Sequence, residues 1–295
     1  MRTNPRQVIV IGGGPAGIAA AIQLKRYGLE PLLLEKRQLG GLLWNANLVE
    51  NYPGFPNGVR GEKLAALMKQ QVERLGVDVG TEEAARVDWQ DDHFEVLTDT
   101  ASHSAQYLVI AAGSKARPLP GGIAPQARAR VFTEVWPLAH VTGKHIVIIG
   151  AGDAAFDYAI NLAHRGNFAT ILNRGKAVKC LGLLAGRAAQ EARIAYFEAA
   201  GLQKISCGAS GALELVSEAR TFHADYALFA IGREPNLDFL PKAAQEAAPP
   251  GRLLFAGDVK NGLFRQAAIA AGDGLRAAMQ VYFALQDSAH NQEAE

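Results

Sequence analysis

The sequence predicts an α/β protein of two three-layer domains, each a mostly parallel sheet with helices on its faces. Three observations carry that expectation. The chain has 295 residues, 49% of them hydrophobic and 20% charged, so it can bury a large core and exceeds one small module. An apolar run, a glycine turn and a helical pattern follow one another over residues 8–17. The same order returns 138 positions later without a gap (150 − 12).

In the first copy, Val8-Ile9-Val10-Ile11 reads as a strand covered on both faces, because no polar residue alternates with the apolar ones. Gly12-Gly13-Gly14-Pro15 turns the chain, and a helix then runs through Ala21, Ile22 and Leu24 until Gly28 stops it. A second strand, Pro31-Leu32-Leu33-Leu34, ends in Glu35. The shift sets Gly12 on Gly150, Gly14 on Gly152, Gly17 on Ala155, Leu24 on Leu162, Gly28 on Gly166 and Glu35 on Asn173. Further along, Leu64, Leu67, Met68, Val72 and Leu75 keep helical spacing, and Gly76 supplies the stop.

Composition excludes several classes. Thirty Lys+Arg against 29 Asp+Glu give a net charge of +1, so neither nucleic acid nor a membrane is an expected partner. Two cysteines, Cys180 and Cys207, cannot form a disulfide scaffold or a four-cysteine metal site; no metal and a reducing cytoplasmic setting are expected. Arg2 and Arg6 precede an apolar run over residues 8–22, but the glycines break it, so it does not read as an export signal.

Each glycine turn suits a dinucleotide. The first glycine allows the turn, the second admits a pyrophosphate against bare backbone, and the third position lets helix and strand pack closely. The anion then meets unpaired N–H groups at the helix start. Two ordinary glycine turns would share the pattern, but two copies between strand and helix favour two nucleotides. Gly12, Gly14, Pro15, Ala16 and Gly17 form the first cradle, with Glu35 placed to accept bonds from a ribose diol and Lys36 beside it. Gly150, Gly152, Asp153, Ala154 and Ala155 form the second. There Asn173 replaces the carboxylate and Arg174, Lys176 and Lys179 follow, which favours a 2′-phosphate and so NADPH over NADH; a solvated basic loop is the alternative.

Further segments resemble the low-molecular-weight thioredoxin-reductase-like flavoproteins over nearly the whole chain. Gly40-Gly41-Leu42-Leu43 and Val49-Glu50-Asn51-Tyr52-Pro53-Gly54-Phe55-Pro56 look like that family's flavin-edge segment. Phe255-Ala256-Gly257-Asp258-Val259, Arg265-Gln266-Ala267 and Ala270-Ala271-Gly272 look like its second FAD segment. Ala111-Ala112-Gly113 and Ala230-Ile231-Gly232-Arg233 look like the two crossovers between domains. The resemblance implies two Rossmann-like domains: an FAD domain over 1–115 and 233–295, with the NADPH domain, 116–232, inserted. It also implies FAD contacts from Gly41, Leu42, Asn51, Ala112, Gly113, Gly257, Asp258, Arg265, Gln266 and Ala267, and NADPH contacts from Ile231, Gly232 and Arg233. Asp258 would bond the ribityl chain, or serve only as a turn former. A homodimer hinged near Gly113 and Gly232, and a shortened hairpin between Asn236 and Phe255, are also implied.

One departure decides function. The family's thioredoxin reductases carry C-x-x-C ahead of the second glycine motif, where one thiolate attacks and the other resolves. Here that stretch reads Thr133-Glu134-Val135-Trp136, and Cys180 and Cys207 lie 27 positions apart (207 − 180). The dithiol route is therefore not expected, and electrons should leave the flavin directly. Trp44 and Trp136 are candidate flavin neighbours, or core aromatics; His140 reads as a surface or packing histidine. The expected acceptor is ferredoxin, flavodoxin or another iron–sulfur protein, including one serving a biosynthetic enzyme such as a lipoate-forming system. A small disulfide or other small oxidant is the alternative, and a non-catalytic flavin-binding redox sensor is the alternative of another class. A monooxygenase is disfavoured because F-x-G-x-x-x-H is absent between the nucleotide motifs.

Overall fold

Burial of residues 8–11, none more than 5% exposed, places strand β1 (Arg6–Ile11) inside a sheet, as an unbroken apolar run requires. The computed structural model describes residues 5–208, 211–218 and 220–293. After β1 come helix α1 (Pro15–Arg26), β2 (Leu32–Leu34), a 3₁₀ turn over Gly41–Asn45, α2 (Gly61–Arg74) and β3 (Asp78–Gly80). Then follow β4 (Ala84–Gln90), β5 (His93–Thr98), β6 (Ser102–Ile110) and β7 (Ser114–Ala116). β1 pairs in parallel with β2 and β6, and β2 with β3. β4, β5 and the first half of β6 form an antiparallel meander.

The middle of the chain repeats this plan. It contains β8 (Val131–Phe132), β9 (His145–Ile149), α3 (Asp153–His164), β10 (Phe168–Leu172), α4 (Gly182–Gln190) and β11 (Ile194–Phe197). β12 (Leu202–Cys207), β13 (Leu213–Ser217), β14 (Thr221–Ala224) and β15 (Tyr226–Phe229) complete it. The parallel sheet runs β11-β10-β9-β15-β8, and β12-β13-β14 make the antiparallel meander. The chain returns through β16 (Arg233–Pro235), which pairs with β7, then α5 (Lys242–Ala247), β17 (Leu253–Phe255) and α6 (Ala267–Glu293). β17 lies parallel to the second half of β6. Between β16 and β17 the chain makes only α5, with no hairpin.

The internal repeat holds down to hydrogen bonds. α1 and α3 are both 12 residues long and start 138 positions apart (153 − 15). The Gly12 N–H donates to Leu34 O at 2.8 Å, and the Gly150 N–H to Leu172 O at 3.0 Å. Gly28 and Gly166, at φ +79° and +83°, end the two helices in the left-handed region.

The chain divides into two compact units: Met1–Trp44, Val49–Lys115 and Glu234–Glu295 in the first, Asn45–Leu48 and Ala116–Arg233 in the second. Beside the bounds that the resemblance implied, Arg233 and Asn45–Leu48 group with the second unit. Within the second unit, Asn45 Oδ1 accepts the Trp136 N–H and Asp157 Oδ2 accepts the Asn47 N–H, each at 2.9 Å. Among the described residues, no helix is long and apolar enough to cross a membrane.

Candidate functional site

The first glycine turn is built by close approach. At Gly12, φ is +105° and an added Cβ would stand 2.4 Å from Ala111 O, so the crossover Ala111–Ala112–Gly113 lies directly against the turn. A Cβ on Gly17 would meet Gly12 O at 1.7 Å. Gly14 differs: its φ of −77° and ψ of −175° suit any residue, and nothing lies within 4 Å of an added Cβ. Its open face is the face a pyrophosphate needs. Pro15 opens α1, where a missing N–H costs no bond. Gly40 donates to Gly13 O at 2.7 Å, and a Cβ on Gly41 would lie 3.0 Å from Gly14 Cα, so the 40–41 turn covers the glycine turn and leads into Leu42.

Glu35 lies directly against the first glycine turn. Its carboxylate accepts the Gly13 N–H at 2.7 Å and the Arg37 N–H at 3.0 Å, one on each oxygen. Each oxygen keeps a second lone pair for a hydroxyl. Lys36, by contrast, reaches Glu83 at 2.8 Å on an exposed surface. Asn51 and Gln266, 215 positions apart, meet: Asn51 Nδ2 donates to Gln266 Oε1 at 2.8 Å. Gln266 and Ala267 stand at the start of α6, with Arg265 before them. Trp44 donates its indole N–H to Leu39 O at 2.9 Å, which ties its polar edge to its own turn.

Gly257 and Asp258 open a 3₁₀ turn, with Gly257 at φ +77° and an added Cβ 2.8 Å from Ala16. Beneath it lies a residue that sequence reading missed. Asp273, 3% exposed on α6, accepts from the Gly257 N–H and from Asn261 Nδ2. Burial raises its pKa, but the Asn261 hydrogen bond, the Lys260 charge and the Gly257 N–H together outweigh it and hold the carboxyl below its ordinary value. Its only sequence signal was a carboxylate between two glycines, Gly272 and Gly274, in an apolar helix. These cradles fit FAD: bare backbone at Gly14, acceptor capacity at Glu35, and polar side chains converging at Asn51 and Gln266.

The second cradle repeats the first with changes. Gly150, at φ +131°, would put a Cβ 2.3 Å from Ala230 O, and Gly152 is open but for Lys179 O at 3.7 Å. The basic loop folds back onto this turn: the Lys179 N–H donates to Ala151 O at 3.0 Å and the Leu181 N–H to Asp153 Oδ1 at 2.8 Å. Asp153 therefore anchors the loop, beside exposed Ala154 and buried Ala155. Asn173 is buried and shapes the same loop, donating to Ala177 O and Tyr196 Oη and accepting from the Gly175 N–H. Its side chain scaffolds this loop, on which Arg174, Lys176 and Lys179 are exposed. Gly232 O accepts the Arg117 N–H at 3.2 Å, partly buried Ile231 precedes it, and Arg233 pairs with Glu134 at 3.3 Å.

Both cysteines are free thiols in the second unit. Burial, and then the Asp153 charge, push the Cys180 thiol above its ordinary pKa, which suppresses the thiolate that nucleophilic attack needs. Cys207 is exposed, with Arg130 Nη2 at 3.2 Å. No described group of His, Cys, Asp and Glu could hold a metal ion.

Comparison with known proteins agrees with this geometry. A thioredoxin reductase of Neurospora crassa is 31% identical over 92% of this chain and 91% of its own. The crystal structure of Lactococcus lactis thioredoxin reductase superposes with a TM-score of 0.81 at 25% identity, covering 94% of this chain and 98% of that one. The bacillithiol disulfide reductase of Bacillus cereus shares the fold, with a TM-score of 0.74 at 20% identity over 95% and 99% of the two chains. Residues 6–286 match the family described as pyridine nucleotide-disulphide oxidoreductase. The chain belongs to that family, as an FAD-dependent oxidoreductase whose cofactors are FAD and NADPH.

Proposed function

We propose that this enzyme carries electrons from NADPH through FAD directly to an external acceptor, a ferredoxin- or flavodoxin-type protein, without a protein dithiol as relay. The observation that carries this is the cysteine inventory: Thr133-Glu134-Val135-Trp136 stands where the relay pair would be, and Cys180 and Cys207 are free thiols. Bound FAD supplies hydride acceptance and electron release. The chain's own groups hold and orient. Gly14 and Gly152 admit the pyrophosphates, Glu35 takes the ribose, and Arg174 with Lys179 receive the 2′-phosphate. Asn51 and Gln266 address the ring, with Trp44 as a candidate neighbour.

A protein acceptor is favoured by the loop before Arg265. Leu263 is 97% exposed and Phe264 76%, an apolar tip beside the residues assigned to the flavin. Adjacent exposed apolar side chains of this kind are suited to anchor a docking protein. A homodimer belongs to the same reading, since Leu275, Met279 and Phe283 repeat every four residues on α6 at 41–55% exposure.

Turnover of NADPH against a panel of ferredoxin, flavodoxin, thioredoxin and small disulfides tests the proposal. Ferredoxin or flavodoxin should be reduced, and the Cys180→Ser/Cys207→Ser double variant should keep its kcat within about twofold. Thioredoxin reduction that this variant loses would overturn the reading; turnover with a small disulfide alone would move it to that class. Leu263→Ser/Phe264→Ser should raise KM for the protein acceptor about tenfold, the effect of losing two apolar anchors. An unchanged KM would remove that loop from the docking surface.

A further inference from the structure

Helix α6 lies hard against α1, since a Cβ on Gly274 would fall 2.0 Å from Ala16 O. The next residue back on α6 is Asp273, whose carboxylate is 3% exposed. Its Oδ2 accepts the Gly257 N–H at 3.2 Å and Asn261 Nδ2 at 2.6 Å. Its Oδ1 lies 3.4 Å from Lys260 Nζ and accepts from Arg276 Nη2 at 2.7 Å. Three of these four donors belong to residues 257–261, the turn that includes Gly257 and Asp258. The fourth, Arg276, is on α6 itself and 67% exposed. A buried carboxylate this well supplied stays ionised and binds its donors strongly; without it, a buried N–H, an amide and an ammonium lose their partner together.

We infer that Asp273 is a positioning residue for FAD: it clamps residues 257–261 in the conformation through which Gly257 and Asp258 meet the cofactor. It touches the turn and not the flavin. The inference concerns FAD affinity and is independent of which acceptor the enzyme uses.

The test is FAD titration of the flavin-stripped full chain, followed by flavin fluorescence and the visible absorption band. Asn261→Ala removes one turn-side donor and leaves the carboxylate in place, so it should weaken FAD binding about fivefold to tenfold. Arg276→Ala removes the helix-side donor and should leave the FAD Kd within about twofold, even where it lowers the melting midpoint. Asp273→Asn should weaken FAD binding by about thirtyfold, and adding Asn261→Ala to it should bring little further loss, because the two act through one contact. Equal FAD Kd values for Asn261→Ala and wild type would overturn the inference. So would equal losses from Asn261→Ala and Arg276→Ala, since Asp273 would then serve the helix alone. Wild-type protein that takes up no FAD would overturn it together with the cofactor assignment.

Discussion

Gly14→Ala should fold normally and bind FAD at least about 100-fold more weakly, whereas Gly17→Ala should lower the stability of the fold itself. The two glycines are three residues apart, yet they are glycine for different reasons. Gly14 has extended backbone and open space around an added Cβ, so the protein itself tolerates a methyl group there. What the methyl excludes is the pyrophosphate, and losing about two charge-assisted hydrogen bonds at 1.5–3 kcal/mol each accounts for the drop. Gly17 has no such room, because its Cβ would be 1.7 Å from a backbone oxygen that cannot rotate away. Overpacking of this severity costs about 3 kcal/mol or more, a fall of roughly 6–12 °C in the melting midpoint. Thermal melts of the flavin-free variants beside FAD titration separate the two effects. FAD affinity of wild-type strength in Gly14→Ala would show that the pyrophosphate does not lie on this turn.

The second large effect is expected at the other cradle. Arg174→Ala/Lys179→Ala should raise KM for NADPH by more than about 100-fold and change KM for NADH by less than about threefold, since two charge-assisted bonds to a phosphate are worth about 1.5–3 kcal/mol each. Both side chains are exposed, and the Lys179 backbone is bonded to Ala151 in the glycine turn itself. Asn173→Ala tests the loop's scaffold separately. With Ala177, Tyr196 and Gly175 losing a partner, it should weaken both nicotinamides together. Steady-state kinetics with each coenzyme reads all three numbers. Equal losses for NADPH and NADH in the Arg174/Lys179 variant would make the basic loop an ordinary charged surface.

Much of this site was legible before any coordinates. The gapless shift of 138 positions works because a strand, a tight turn and a 12-residue helix leave no freedom for insertion between Gly12 and Gly28 or between Gly150 and Gly166. Periodicity and glycine spacing are local properties, so local sequence carries them. Asn173 was harder. Its position was read correctly as the counterpart of Glu35, but its side chain turned out to be spent on Tyr196, 23 residues away on a neighbouring strand. Trp44 similarly donates to Leu39, a contact that depends on how the Gly41–Asn45 turn coils and not on composition.

By itself, the sequence determined the two glycine turns, the order of strands and helices around them, and the wide separation of its two cysteines. All of these follow from short-range spacing or from residue identity. Tertiary structure alone decided that Asn51 meets Gln266, that Asp273 grips the turn at Gly257, and that Asn45–Leu48 joins the second unit. Each of these joins segments from 16 to more than 200 residues apart in the chain. Such contacts arise because the parallel sheets bring distant strand ends side by side, where buried polar groups must find partners from whatever segment the topology delivers.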